Sequence, residues 1–187
     1  MSGRIVVVGA PTALGGHLSG MERTPAGLRA LGLLDRVGRL VPDGALDDAG
    51  DLSIEPGFRP DPDRRTKNRE PIAAFLPRLA ERVAWALGPG GDPRVGDAGG
   101  RDRRTGGHPP PSPEGPGDRS ASTERRADSR LLLLGGDCTT HAGALAGLRR
   151  AHPGRTFGLA WFDAHGDFNT PDTTPSGNVW GMPFAMI

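Results

Sequence analysis

Three short apolar runs, each followed at once by a loop rich in glycine, aspartate or histidine, constrain the fold of this chain most. They are residues 5–8, 130–134 and 157–162. Apolar runs of this length between turn residues are typical of strands buried on both faces. Helical patterns lie between the runs, and that order is typical of a parallel sheet covered by helices. We therefore expect an α/β fold, a three-layer α/β/α domain with a mostly parallel sheet.

Helices are predicted where apolar residues recur every three or four positions. One covers residues 24–37, where Thr24-Pro25 suits a helix start. A second covers residues 70–87, with Pro77 as its weak point. A third runs from residue 139 or 140 to residue 150, and an apolar patch around residues 46–52 indicates an edge strand.

Composition divides the chain into unlike parts. Residues 88–129 consist almost wholly of Gly, Pro, Asp, Arg and Ser, with scarcely any large apolar side chain. Such a segment cannot offset its ordering entropy by burial, so we expect a disordered insert there. Residues 1–87 and 130–187 are then expected to form the N-terminal and metal-motif parts of the same α/β domain.

Charge and cysteine content exclude some classes of partner. The formal net charge is +1, from 23 basic and 22 acidic residues, so no overall field attracts nucleic acid or an anionic membrane. The single cysteine, Cys138, fits a reducing compartment. No apolar run reaches the length of a signal-peptide core or a membrane span. We expect a cytoplasmic protein with neither nucleic-acid nor membrane partners.

The loop after the third apolar run carries the strongest chemical pattern. Asp163, His165 and Asp167 alternate with small residues, so their side chains can point to one side of the sheet edge. Two carboxylates and an imidazole suit Mn, Zn or Fe(II). The alternative is a surface loop with ordinary hydrogen bonds. Because the ends of parallel strands collect ligand sites, we favour a metal site.

Two further segments allow a structural and a functional interpretation. Gly135-Gly-Asp-Cys138 can be a tight turn with Asp137 as the helix cap, or it can place the thiolate of Cys138 near the Asp-His-Asp loop. Residues 169–183 form a polar loop, interrupted by glycines and prolines, that either binds a small polar ligand or is an exposed connection.

These motifs together resemble the ureohydrolase superfamily of arginases, agmatinases and formiminoglutamases. Gly135-Gly-Asp-Cys138 is similar to the family's Gly-Gly-Asp-His, and Asp163-Ala-His-Gly-Asp167 is similar to its Asp-Ala-His-x-Asp. Ser176-Gly-Asn-Val-Trp-Gly resembles its Ser-Gly-Asn-x-His-Gly segment. The resemblance covers most of the chain outside the insert.

The resemblance implies an arginase-like fold with a two-manganese centre that activates water to attack a guanidinium carbon and release urea. It assigns metal binding to Asp163, His165 and Asp167, with Asp163 bridging the ions. It also implies a small guanidino or amino-acid substrate, contacted at its α-amino and carboxylate end. The substrate-contacting positions are Asn169, Thr174 and Ser176.

The chain departs from the family at three points. Cys138 replaces a metal-binding histidine, and a thiolate shifts the preference from Mn²⁺ toward Zn²⁺. Trp180 replaces a histidine thought to shuttle protons in arginases, and Ile187 precedes the strand that supplies the family's Asp-x-Asp. The C-terminal half of the family fold is thus absent from the chain as written, and we expect one bound ion rather than two.

Three functional hypotheses follow from this pattern. The first is a truncated arginase-family hydrolase of guanidino compounds, whose turnover is open and for which no catalytic side chain is assigned. The second is a mononuclear deacetylase-like hydrolase with His17 or His141 as the base. The third is a non-catalytic metal-binding or oligomer-forming relative. Self-association into a homo-oligomer is expected because an uncovered sheet edge invites pairing.

Overall fold

The sheet of this protein has three parallel strands. The computed structural model describes residues 3–53, 65–88 and 129–187. Within them, β1 is Ile5–Ala10, β2 is Leu46–Asp51 and β3 is Arg130–Gly135, in the order β2-β1-β3. β1 pairs with β3 without interruption, while its pairing with β2 shifts register between Val7 and Gly9. The predicted parallel sheet and its edge strand at residues 46–52 are confirmed.

Helices cover both faces of the central strand β1. Val6 and Val8 are fully buried and belong to the same apolar cluster as Leu79 and Val83. Side chains of a strand alternate between faces, so Gly9 lies on the opposite side from Val8. There a Cβ atom on Gly9 would lie 3.1 Å from Cβ of Pro25, in the first helix.

The predicted helix over residues 24–37 is two helices. Helix α1 is Thr24–Ala30, with Pro25 in its first turn, and helix α2 is Leu33–Gly38. Gly32 separates them with a φ of 78°, a left-handed conformation that ends a helix and that glycine adopts readily. The apolar spacing does not indicate this break, because leucines continue on both sides of Gly32.

Two long helices pack against each other and confirm the other helical predictions. Helix α3 is Arg69–Leu87, which continues through Pro77, and helix α4 is Thr140–Ala151. Their close approach depends on Gly147, since a Cβ atom there would lie 2.6 Å from Cβ of Val83. The packed pair positions α4, which begins two residues after Cys138.

The third predicted strand, residues 157–162, is wrong. The structure gives this segment no strand pairing and no helix. Phe162 is 95% exposed and Leu159 is 51% exposed. An apolar run indicates burial but does not name the neighbour whose backbone would complete the hydrogen bonds of a strand. The chain then continues through a 3-10 turn at Val179–Gly181 and a helical turn at Pro183–Met186.

Two other predictions concern the insert at residues 88–129 and the absence of a membrane span. The predicted insert at residues 88–129 falls, apart from its two end residues, outside the described residues. No helix in the described part of the chain is both long and apolar enough to cross a membrane.

Candidate functional site

The loops that follow β1 and β3 are joined by one buried carboxylate. Asp137 is 5% exposed. Its Oδ2 accepts the backbone N–H of Gly15 at 3.0 Å, and its Oδ1 accepts the backbone N–H of Thr139 at 2.9 Å. Asp137 therefore holds the turn before α4 and joins the two loops, but the prediction that it is the helix cap is wrong. The cap of α4 is Thr139, two residues later, and no side chain bonds to it as a cap.

Glycine permits this contact between the loops. A Cβ atom on Gly136 would lie 1.8 Å from the carbonyl oxygen of Thr12. The backbone N–H of Gly136 also donates to the carbonyl oxygen of Ala10 at 3.2 Å. The residue before Asp137 is thus held against the backbone of the β1 loop, and this contact positions Cys138.

Three of the four predicted metal-binding residues lie together. One ligand atom each from Cys138, Asp163 and Asp167 lies within 4.8 Å of the others. The thiol of Cys138 donates to Oδ2 of Asp163 at 3.8 Å. Asp167 is 9% exposed, and its Oδ2 has no hydrogen-bond partner among the described residues. The three side chains form one group of anionic or thiol donors.

The pKa values in this group reflect its negative charge. Burial, followed by the charges of Asp167 and Asp163, raises the pKa of Cys138 to about 12. Burial is also the main cause that raises the pKa of Asp167, and the charge of Asp163 adds to it. The pKa of Asp163 is lowered, chiefly because its carboxylate accepts the backbone N–H of His165. A cation would stabilise all three groups in their deprotonated forms.

His165, the fourth predicted ligand, lies outside the group. Its side chain is 82% exposed, and its Nδ1 lies 3.4 Å from Oδ1 of Asp163. The backbone is not extended along the whole motif, because Asp167 has a φ of 52°. This left-handed residue changes the direction of the chain, so strict alternation of side chains does not reach Asp167.

The group opens into a cleft of about 700 Å³. The three predicted substrate-binding residues line it and also stabilise their own loop through hydrogen bonds. Oγ of Ser176 accepts the backbone N–H of Asn178 at 3.2 Å, and Oγ1 of Thr174 accepts that of Gly177 at 3.0 Å. The backbone N–H of Asn169 donates to the carbonyl oxygen of Gly181 at 3.1 Å.

His17 and Trp180 line the same cleft, and their rings contact each other. Their ring centroids are 5.2 Å apart in an edge-to-face arrangement. The ring of Trp180 packs directly on the backbone of Gly16, where a Cβ atom would lie 2.1 Å from the ring. The backbone N–H of Trp180 donates to the carbonyl oxygen of Gly15 at 2.9 Å. The ring of Trp180 thereby forms one wall of the cleft.

Sequence reasoning did not find Lys67 and Asn178 as neighbours of this site. Nζ of Lys67 donates to Oδ1 of Asn178 at 3.2 Å, and Nδ2 of Asn178 lies 2.9 Å from Nδ1 of His17. These contacts join residues 111 and 161 positions apart in the chain. No local pattern marks Lys67, which follows a stretch rich in proline and aspartate.

His141, the other histidine considered as a base, is not in this cleft. Its Nδ1 lies 3.0 Å from the carbonyl oxygen of Cys138, and its ring lies 4.5 Å from that of Trp161. Of the two proposed bases, only His17 lines the cleft that contains the acidic group.

Comparison with known proteins identifies the family. The model of the arginase family matches residues 3–187. The chain belongs to the arginase family. It is 30% identical to the arginase of Bacillus caldovelox over 97% of its length, and 29% identical to human arginase-1 over 98%. It covers 47% and 44% of those relatives, so it spans about half the length of the curated relatives it matches.

Solved arginase structures share the fold described above. The structure of Bacillus caldovelox arginase superposes with a TM-score of 0.66 at 28% identity, covering 98% of this chain and 48% of that one. Bacillus cereus arginase gives a TM-score of 0.66 at 26% identity, covering 97% and 46%. The Entamoeba histolytica arginase in complex with L-ornithine, at 22% identity and a TM-score of 0.67, shares the fold. The predicted arginase-like α/β fold is confirmed.

Proposed function

We propose that this chain binds one divalent metal ion through Cys138, Asp163 and Asp167 and is a hydrolase of guanidino compounds that releases urea. The observation that carries the proposal is the buried Oδ2 of Asp167, which has no hydrogen-bond partner among the described residues. A buried carboxylate oxygen without a partner is costly, and a bound cation offsets that cost. Membership of the arginase family supports the same assignment.

The donor set fits a single ion. Two carboxylates and one thiolate would carry three negative charges against the two positive charges of one divalent ion. Oxygen donors suit Mn²⁺, and the thiolate of Cys138 shifts the preference toward Zn²⁺. We propose Mn²⁺ as the family's metal and Zn²⁺ as its competitor at this site. His165 is proposed as a further ligand because its ring lies beside Asp163.

The residues that line the cleft are proposed to have different roles toward a guanidino substrate. When bound, a divalent ion lowers the pKa of water and so supplies a nucleophile at neutral pH. Asp163 and Asp167 add negative charge that attracts the guanidinium group. The polar side chains of Asn169, Thr174 and Ser176 are proposed to bind the amino-acid end of the substrate, and the ring of Trp180 to exclude water from that side.

Location and self-association are part of the proposal. A single, half-buried cysteine is compatible with a reducing compartment, so we propose a cytoplasmic protein. The exposed rings of Phe162 and Phe168 suit contact with another polypeptide, which supports self-association.

Metal binding is tested first, independently of catalysis. The chain is stripped with a chelator and dialysed against Mn²⁺ or Zn²⁺, and bound metal is counted by elemental analysis. We expect one ion per chain and, at a hundredfold excess of metal over Kd, a stabilisation of about 2.7 kcal/mol. That corresponds to a rise in Tm of roughly 5–10 °C.

Two carboxylate variants make this test specific. Asp167→Asn should weaken metal binding by more than about tenfold, because it removes one negative charge from the three donor groups and leaves a weaker amide oxygen in its place. Asp172→Asn is the matched control, since Asp172 lies five residues after Asp167 and its exposed carboxylate pairs with Arg65 and not with the metal site. Equal metal affinity in both variants would contradict the site.

Urea release is then measured from arginine, agmatine and 4-guanidinobutyrate with the metal-loaded chain. We expect release from at least one of the three, and loss of release in Asp167→Asn. A chain that binds one ion but releases urea from none of them is the non-catalytic metal-binding relative. A chain that binds no metal refutes both functions.

A further inference from the structure

A chain of hydrogen bonds leads from a lysine to the wall of the cleft. Lys67 is anchored by its backbone, whose N–H donates to the carbonyl oxygen of Gly177 at 2.9 Å. Its Nζ donates to Oδ1 of Asn178 at 3.2 Å, and Nδ2 of Asn178 lies 2.9 Å from Nδ1 of His17. The order of the chain is therefore ammonium, amide, imidazole.

The chemistry of these groups fixes the tautomer of His17. A lysine ammonium has only donors, so the atom of Asn178 that faces it must be the amide oxygen. The amide nitrogen of Asn178 is then the atom that faces His17, and it donates. Nδ1 of His17 must accept with its lone pair, which leaves the ring proton on Nε2. His17 is thus held as an Nε2–H donor.

His17 stands where it can use that donor. Its ring lies edge-to-face against Trp180, and the side chain lines the cleft together with Ser176 and Asn169. Within residues 3–53, 65–88 and 129–187, its ring forms one hydrogen bond, at Nδ1. The imidazole is oriented by Asn178 and Trp180, while Nε2–H is left for a ligand.

Two chemically different groups of side chains line the cleft. One is the thiol of Cys138 with the carboxylates of Asp163 and Asp167, which suit a cation. The other is His17 and Ser176, which both form hydrogen bonds with Asn178. An N–H donor stabilises a carboxylate and does nothing for an ammonium or a methylene group.

We propose that His17 is a specificity-determining residue that donates its Nε2–H to the carboxylate of an amino-acid ligand. This inference rests on the proposed function, from which it takes the class of ligand, an amino acid with a cationic side chain. It assigns to Lys67 and Asn178 the role of positioning residues that hold the imidazole in its donor tautomer. A ligand that carries the same cationic side chain but lacks the carboxylate gains nothing from His17.

The experiment compares ornithine with putrescine, which keeps both amino groups and lacks the carboxylate. Long-range proton–nitrogen NMR spectra of the full chain should show His17 protonated at Nε2 and not at Nδ1. Ornithine should shift the Nε2 resonance, and putrescine should leave it in place. His17→Ala should weaken ornithine binding about tenfold, the loss expected for a hydrogen bond to a charged group.

Two more variants separate binding from structure. His17→Gln keeps an N–H donor and should recover part of the ornithine affinity. Leu18→Ala changes the exposed neighbour of His17 and should bind both ligands as the parent chain does. Equal losses for ornithine and putrescine in His17→Ala, a proton on Nδ1, or no binding of ornithine by the parent chain would each overturn the inference.

The outcome also separates this inference from the proposed function. Metal content and urea release are measured on the same samples. Urea release from arginine with an unchanged KM in His17→Ala refutes the role of His17 and leaves the hydrolase intact. An ornithine-dependent shift of the His17 resonance in a chain that releases no urea refutes the hydrolase and leaves the binding role intact.

Discussion

Replacing Gly136 with alanine should separate the two loops that build the site. The added Cβ atom would lie 1.8 Å from the carbonyl oxygen of Thr12 and 2.8 Å from its carbonyl carbon. Both atoms belong to the backbone, so a side-chain rotation cannot relieve the contact. The loops after β1 and β3 would have to move apart, and Cys138 would move with the second of them.

The magnitude follows from two opposing effects. Overpacking of a well-packed site costs about 1–3 kcal/mol, and a backbone contact belongs at the upper end of that range. Alanine also restricts the unfolded chain, which returns about 0.4–1 kcal/mol. We therefore expect Gly136→Ala to lower the free energy of unfolding by about 2 kcal/mol, or Tm by roughly 4–8 °C.

Gly158→Ala is the matched control, since a Cβ atom at Gly158 would have no heavy atom within 4 Å. Urea denaturation of both variants gives the free energies of unfolding, and elemental analysis gives their Zn²⁺ content. Gly136→Ala should lose stability and Zn²⁺ together, while Gly158→Ala keeps both. Variants that differ by less than about 0.5 kcal/mol would refute the close contact between the loops.

Two further predictions concern stability away from the site. Gly147→Ala should destabilise the α3–α4 pair by about 1–2 kcal/mol in urea denaturation, because its Cβ atom would lie 2.6 Å from Cβ of Val83. Gly27→Ala should stabilise the protein by about 0.5–1 kcal/mol, because its Cβ atom would have no heavy atom within 4 Å. The same sign for both variants would contradict the packing. Arg29 donates to both carboxylate oxygens of Asp48 at 2.8 and 2.7 Å, and this hydrogen bonding lowers the pKa of Asp48. The stabilisation is full above the unfolded pKa of about 4 and is lost as the pH falls through the lower folded pKa. Asp48→Asn should therefore cost about 1 kcal/mol at neutral pH and nothing in strong acid, as measured by denaturation at both pH values.

The sheet and the long helices were predictable because their patterns are local. The apolar run of β1 is fully buried at Val6, Val7 and Val8, and the helical spacing of α3 matches the face that packs on the core. The break at Gly32 was not predicted, because one glycine between leucines changes no periodicity. The error at residues 157–162 arose because hydrophobicity does not state which strand will be the neighbour.

The site was partly predictable, although one premise of the prediction was wrong. The loop of Cys138 was expected near the Asp-His-Asp loop because strand ends of a parallel sheet meet at one edge, but only the loop of Cys138 follows a strand. The structure brings Cys138, Asp163 and Asp167 together and leaves His165 at the surface. Lys67 and His17 could not be connected from sequence, since their link through Asn178 depends on contacts across more than a hundred residues.

The position of Asp167 depends on loop contacts and not on the sheet. The segment before Asp163 has no strand pairing, so no ladder transmits the position of β3 to this carboxylate. Asn169 is instead held by the carbonyl oxygen of Gly181, and the adjoining Trp180 is held by the carbonyl oxygen of Gly15. Gly15 in turn donates to Asp137, immediately before Cys138. The two carboxylates and the thiol are therefore connected through the wall of the cleft, so a change at that wall reaches both groups of side chains that line the cleft.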